Sequence, residues 1–174
     1  MGKVLETIKS RRSIRQFSSD PVPTALVDKV IEAGLYAPSA LGRQECIVVA
    51  VSDRETRDRI SALNASVMGR SGSDPFYGAP VILMVLGPKD YPPYVCDGSL
   101  MLGNMMLEAH ELGLGSCWIH RAKEESESPE GQELLHRYGV PDGYVGIGHL
   151  ALGYIDGGYP STPERKPDRV IKIQ

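Results

Sequence analysis

Apolar positions recur along this chain with two periods, one typical of helices and one typical of buried strands. Helical spacing is first evident after Thr24, a residue type that can cap a helix, and it should end before Pro38. The apolar stripe of this segment consists of Leu26, Val27, Val30, Ile31 and Leu35. Charged residues occupy the opposite face, so we expect an amphipathic helix that packs against a core.

Short apolar runs predict the strands, and capping signals predict helices between them. The expected strands cover residues 46–51, 81–86, 116–119, 146–152 and 169–173. Ser52 followed by Glu55 matches a capping box. The helix after it should bury Ile60, Leu63 and Val67. A later helix is delimited by Ser128 as its cap, Pro129 as its first residue and Gly139 just past its end.

The segment 97–112 differs from the other helical patterns because its apolar residues surround nearly the whole circumference. Such a helix must be covered on most sides. It is either a central core helix or a helix covered partly by a second subunit, and the sequence leaves both possibilities open.

Composition limits the class of protein. The chain has 174 residues, of which 41% are hydrophobic and 24% charged, a balance typical of one soluble globular domain. A net charge of -3 disfavours nucleic-acid binding. No apolar run is long enough to span a membrane and the start lacks a signal-peptide pattern, so we expect a cytoplasmic protein. The segment 153–167, rich in Gly and Pro, is long enough to form an arm.

The usual catalytic motifs are missing. Alternating helices and strands favour a three-layer αβ domain, and a doubly wound nucleotide-binding fold is the first hypothesis, but the sequence has no GxGxxG turn and no Walker loop. It also lacks HExxH and GxSxG. The cysteines at 46, 96 and 117 are interpreted as buried free thiols, and the histidines at 110, 120, 136 and 149 have no metal-ligand spacing.

Three arginines and a hydroxyl are concentrated near the amino end, at Arg11, Arg12, Ser13 and Arg15. Guanidinium groups match phosphate oxygens and stay charged at any working pH. In an extended segment Arg11, Ser13 and Arg15 would share one face, with Ile14 anchored behind them, whereas in a helix the three arginines would cluster. A solvated basic helix end is the alternative interpretation, and these residues alone do not decide between them.

Four motifs in order resemble one family. They are RRSIRQF at 11–17, APSALGRQ at 37–44, GLGSCWI at 113–119 and ERKPDRV at 164–170. Their order and spacing resemble the FMN-dependent nitroreductase family over nearly the whole chain. The resemblance implies an α+β fold in place of the doubly wound one: a three-layer α/β/α sandwich with a mixed, mostly antiparallel central sheet. It also implies a single domain, 1–174, and a homodimer with FMN at the subunit interface, which the arm at about 153–174 helps to form.

The resemblance also implies the cofactor contacts, residue by residue. Arg11, Arg12 and Ser13 match contacts to the flavin phosphate and ribityl chain, and Arg15 matches a basic position near the pyrimidine edge. There a fixed cation would stabilise the anionic reduced flavin. The other matching positions are the loop residues Pro38, Ser39 and Ala40 from the second subunit, the strand-end residues Trp118, Ile119 and His120, and the C-terminal pair Arg165 and Lys166. No catalytic residue and no metal site are implied.

The sequence departs from the family pattern near the expected ring. Gly42, Glu45 and Cys46 stand where the family commonly has Asn, Pro and Trp, so a polar contact is expected to be lost at position 42. Position 120, often acidic in the family, is His120, which biases the site toward anions, changes proton delivery, or is neutral if only its backbone meets the ring. The chain is also short for the family, so we expect an open, permissive site.

The function implied is electron transfer from NADH or NADPH through FMN to nitro compounds, quinones or similar small oxidants, by a ping-pong mechanism. The sequence does not distinguish the two donors. Two alternatives remain open: other flavin chemistry on the same scaffold, such as enone reduction, dehalogenation or flavin breakdown, and a flavin-binding protein without catalysis.

Overall fold

The computed structural model describes residues 2–173 as four strands and six α-helices. The helices are α1 (Lys3–Ser10), α2 (Thr24–Leu35), α3 (Arg54–Val67), α4 (Tyr94–Glu111), α5 (Ala122–Glu127) and α6 (Pro129–Arg137). The strands are β1 (Ile47–Val51), β2 (Val81–Pro88), β3 (Gly115–Ile119) and β4 (Tyr144–Gly153). A short 3-10 turn covers Ala40–Gly42. Four of the five predicted strands are thus confirmed.

The sheet has the order β1-β2-β4-β3, and every neighbouring pair of strands is antiparallel. Within residues 2–173, parallel pairing is limited to an isolated bridge between Ser13 and Ser116. A doubly wound fold needs neighbouring parallel strands joined by helical crossovers, so that first hypothesis is wrong. The α+β sandwich implied by the resemblance is confirmed.

Strand β2 contributes side chains to the hydrophobic clusters on both faces of the sheet. Val81, Leu83 and Val85 pack into the cluster formed with α2 and α4. The residues between them face the other side of the sheet, where α3, α5 and α6 cover Ile82, Met84 and Leu86. Because successive side chains of a strand point to opposite faces, a strand buried on both faces must be apolar throughout, as β2 is.

Helix α4 is the circumferentially apolar helix of the sequence. Met101, Leu102 and Met105 are buried against α2 and the sheet, which confirms a central core helix. Leu100 on the same helix remains 48% exposed. One apolar strip of α4 is therefore not covered within this chain.

Several local predictions were wrong. Residues 169–173 form no strand, because they lie beside no sheet edge among residues 2–173, and Ile171 is 90% exposed. Thr24 is the first helical residue and caps nothing with its side chain. Asp53, not Ser52, caps α3 by accepting a hydrogen bond from the Thr56 N–H at 2.8 Å.

Other boundary and burial predictions had mixed outcomes. Ser128 caps α6 with Pro129 at its start, and Gly139 follows the helix with a φ of 74°, as predicted. Cys96 is exposed, although the other two cysteines are buried. Val67 is also exposed, because it lies at the end of α3, beyond the edge of the sheet-facing core.

No helix among residues 2–173 combines the length and apolar character that a bilayer crossing needs. The same described residues contain no cluster of three or more metal-ligating side chains.

Candidate cofactor site

The basic segment near the amino end is extended. Helix α1 ends at Ser10, and Arg11 follows with a φ of -52° and a ψ of 136°. The Ile14 N–H then donates to the Ser116 carbonyl of β3 at 3.0 Å, and the Ile14 side chain is buried in the core. The extended interpretation is therefore confirmed, and the segment lies along the edge of the sheet formed by β3.

Ser13 pairs with β3 through an isolated parallel bridge to Ser116, and arginines stand two residues before and after it. Burial raises the pKa of the Cys117 thiol, and three neighbours oppose this shift: the charge of Arg15, the hydroxyl of Ser13 and the charge of Arg11. The extended segment thus places Arg11, Ser13 and Arg15 along the β3 edge, and the convergence of their side chains on one ligand stays a prediction.

Arg11 carries an unsatisfied donor. Its Nη1 atom is buried and has no hydrogen-bond partner among the described residues. A buried guanidinium nitrogen without an acceptor is costly, and such groups in native proteins are usually satisfied. The missing partner must be an acceptor, and an anion is the acceptor that a guanidinium binds most strongly. Residues Arg11 and Ser13 therefore fit a phosphate group.

Arg12 has a different role in this structure. Its guanidinium donates to the carbonyls of Lys9 at 2.7 Å, Arg11 at 2.6 Å and Ser161 at 3.2 Å, and also to the hydroxyl of Thr162. These bonds use four of its five N–H groups. The one remaining N–H is available for the predicted phosphate contact. Arg12 is buried, and its bonds connect the C-terminal arm to the end of α1.

The arm approaches the basic segment through these contacts. The Tyr159 hydroxyl donates to the Ser10 carbonyl at 3.0 Å and accepts from the Arg12 N–H at 3.1 Å. Arg165 follows Thr162 by three residues, so their Cα atoms are at most about 11 Å apart. Arg165 and Lys166 are both exposed and outside regular structure. The opposite ends of the chain thus meet at α1, while the position of the two basic side chains on a phosphate stays a prediction.

The loop of Pro38, Ser39 and Ala40 is fixed elsewhere, against α4. The Ala40 N–H donates to Asp97 Oδ1 at 3.1 Å, and the Tyr91 hydroxyl donates to the Ala40 carbonyl at 2.8 Å. No hydrogen bond among the described residues joins this loop to the 11–15 segment. Within one chain the structure does not bring these two predicted parts of the site together.

Close packing orients the residues at the carboxyl end of β3. A Cβ atom at Gly148 would lie 2.6 Å from Trp118 Nε1, so the indole requires glycine on the neighbouring strand β4. Ile119 is 4% exposed and its side chain belongs to the core, which leaves only its backbone for a ligand. The side chain of His120 is exposed.

Sequence reasoning missed two buried polar residues beside these elements. Asn64 on α3 is completely buried and donates to the His120 carbonyl at 2.9 Å. Asp97 on α4 is 5% exposed, and its Oδ2 atom has no partner among the described residues. In both cases a polar residue interrupts the apolar face of a helix, and that signal could have identified them.

Comparisons with known proteins agree with this arrangement. The model of the nitroreductase family matches residues 8–154. An NADH dehydrogenase of Thermus thermophilus is 39% identical over 165 residues, which cover 94% of this chain and 74% of that protein. An NADPH-flavin oxidoreductase of Vibrio harveyi is 26% identical over 177 residues, with coverages of 96% and 70%.

The crystal structure of a nitroreductase with bound FMN from Bacteroides fragilis matches with a TM-score of 0.90 and 29% identity, covering 100% of both chains. The family match spans the basic segment, the loop before β1 and all four strands of the sheet. The chain therefore belongs to the nitroreductase family.

Proposed function

We propose that this protein is a homodimeric flavoenzyme that takes electrons from NADH or NADPH and passes them through FMN to small oxidants such as nitro compounds and quinones. The two half-reactions use one site in turn, which makes the mechanism ping-pong. The observation that carries the proposal is the position of Arg11 in the extended segment along β3, where its buried Nη1 has no acceptor among residues 2–173.

Bound FMN supplies the hydride-accepting ring, and the protein supplies position and charge. Arg11 and Ser13 bind the phosphate, and the approach of the arm brings Arg165 and Lys166 to the same anion. Arg15 places a fixed positive charge beside the ring, which stabilises the electron-rich reduced form. The backbone from Trp118 to His120 lines another side of the ring. No side chain acts as an acid or base in this proposal.

Exposed apolar side chains support the homodimer. Helix α1 exposes Val4, Leu5 and Ile8, which are 72%, 46% and 49% exposed. The other large apolar residues exposed on α2, on α4 and in the segment between α2 and β1 are Leu35, Tyr36, Leu41, Val95 and Leu100. Apolar residues in such numbers typically mark an interaction surface. Pairing two copies would cover them and would bring the Pro38–Ser39–Ala40 loop of one subunit to the flavin of the other.

The test is a sequence of measurements on the purified full chain. We expect a yellow dimer by light scattering, whose flavin absorbance is bleached by NADH or NADPH under anaerobic conditions. Addition of a quinone or a nitroaromatic compound should then restore the colour. Initial rates at several oxidant concentrations should give parallel double-reciprocal lines, because the donor product leaves before the oxidant binds.

Two results separate the alternatives. A protein that holds FMN but is not bleached by either donor is a flavin carrier rather than a reductase. A colourless monomer that ignores added FMN would contradict the whole proposal.

A further inference from the structure

A strained corner follows strand β3. Arg121 has a φ of 77° and a ψ of 7°, in the left-handed region, and forms the N-cap of α5. For a residue with a long side chain this conformation is unfavourable and persists only where the surroundings hold it. Strain of this kind next to a candidate site calls for a physical cause.

The side chain of Asn64 holds this corner from α3. Its Nδ2 atom donates to the His120 carbonyl at 2.9 Å, and its Oδ1 atom accepts from Arg121 Nε at 3.0 Å. The carbonyl can only accept and the guanidinium can only donate, so the amide has one possible orientation. Asn64 therefore forms hydrogen bonds with both residues of one peptide unit, His120 and Arg121, from the side of the core.

A second layer of buried groups fixes Asn64. Its Nδ2 atom also donates to Glu125 Oε1, and Glu125 Oε2 lies 3.1 Å from His149 Nε2. Glu125 is 2% exposed and His149 is completely buried, with the edge of Phe76 against its ring at a centroid distance of 5.2 Å. Neither ring nitrogen of His149 has a hydrogen bond among residues 2–173, so within this set the hydrogen-bond partner of Asn64 is Glu125.

The orientation of this peptide has one outward consequence. In a trans peptide the C=O and N–H bonds point in opposite directions. Because Asn64 binds the His120 carbonyl on the core side, the Arg121 N–H points away from the core. No hydrogen bond from that N–H is found within residues 2–173, whereas the Arg121 carbonyl accepts from the Glu125 N–H at 3.0 Å. A free, fixed donor thus stands at the end of the strand expected to line the ring.

We propose that Asn64 is a positioning residue of the flavin site: by holding the His120–Arg121 peptide, it keeps the Arg121 N–H aimed at an acceptor on the flavin ring. This inference rests on the proposed function, because it requires FMN at the end of β3. Glu125 serves it indirectly by accepting a hydrogen bond from the Asn64 amide. The chemical group recognised is a ring oxygen or nitrogen that gains electron density on reduction.

The first experiment uses the unmodified protein. Amide hydrogen exchange at Arg121 is measured by NMR in the FMN-free protein and after addition of FMN. We expect the Arg121 amide to exchange at least tenfold more slowly once FMN is bound, which is the effect of one hydrogen bond of ordinary strength. An unchanged Arg121 amide in protein that binds FMN would overturn this inference and leave the proposed function standing. Failure to bind FMN at all would overturn both.

The second experiment uses the variant Asn64→Leu, with Asn104→Leu as its matched control. Asn104 also donates its amide to a backbone carbonyl, that of Ala33 at 3.1 Å, but it joins α4 to α2. In Asn64→Leu we expect the two-electron reduction potential of bound FMN to fall by about 30 mV, the equivalent of a tenfold change in the equilibrium constant. The control should leave the potential unchanged. Equal potentials in the two folded variants would contradict the proposal.

A third variant covers the case in which Asn64→Leu does not fold. Arg121→Gly removes the guanidinium contact but makes the left-handed conformation inexpensive, and Asn64 still binds the His120 carbonyl. We expect amide exchange at position 121 to stay slow in the FMN-bound variant, because Asn64 still holds the peptide through the His120 carbonyl. Fast exchange in FMN-bound Arg121→Gly would show that the Arg121 side chain, and not Asn64, holds the peptide, and the inference would be wrong.

Discussion

Replacement of Arg11 by alanine tests the central claim about the anion site. In the structure Arg11 is half-buried, its Nη1 is fully enclosed, and that atom has no acceptor among the described residues. A charge-assisted hydrogen bond contributes about 1.5 to 3 kcal/mol, so loss of the contact should weaken FMN binding by roughly 10- to 150-fold. Without FMN the same atom is a desolvated donor, and its removal should not lower the free energy of unfolding.

The assay therefore has two parts, both made on Arg11→Ala and on wild type. FMN affinity is measured by titration of the FMN-free protein, with the change in flavin fluorescence as signal. The free energy of unfolding of the FMN-free protein is measured by urea denaturation. Arg11→Lys is the matched control, since it keeps the charge but loses the planar fork, and it should bind FMN with intermediate affinity. If Arg11→Ala binds FMN within twofold of wild type, the phosphate assignment is wrong.

Three further predictions concern stability and packing. Arg12→Ala removes four hydrogen bonds and should lower the free energy of unfolding by about 2 to 4 kcal/mol. It should also make the arm easier to cleave by proteases, and an arm that resists cleavage as well as in wild type would contradict this prediction. Burial raises the pKa of Asp74, but hydrogen bonds, first from Arg57, outweigh it and leave the pKa below its ordinary value of 3.8. That stabilisation is present above the unfolded pKa and is lost as pH falls through the folded one, so the stability deficit of Asp74→Asn in urea titrations should shrink on acidification. Gly148→Ala should lower the free energy of unfolding by about 1 to 3 kcal/mol by overpacking and should shift the fluorescence of Trp118, the only tryptophan. An unchanged spectrum together with an unchanged free energy of unfolding would contradict the close packing of the indole on Gly148.

The sequence determined the elements whose signals are local. The uninterrupted apolar run predicted strand β2, and the nearly circumferential apolar pattern predicted that α4 is covered on most sides, because buried faces are mostly apolar. The cap at Ser128 and the stop at Gly139 were confirmed for the same reason, since helix ends are satisfied by nearby residues. Motif order then gave the family.

Tertiary structure alone decided how those elements pair and which side chains remain free. The antiparallel order β1-β2-β4-β3 depends on contacts between distant strands, and residues 169–173 have strand character but no neighbouring edge among residues 2–173. Arg11 and Arg12 are adjacent and chemically identical, yet one has a buried donor without a partner among residues 2–173 while the other is bound by the arm about 150 residues away. Asn64 likewise gains its role only from the corner that folding places beside it. Residue type sets what a side chain can bind, but its available partners are set by long-range packing, which no local pattern encodes.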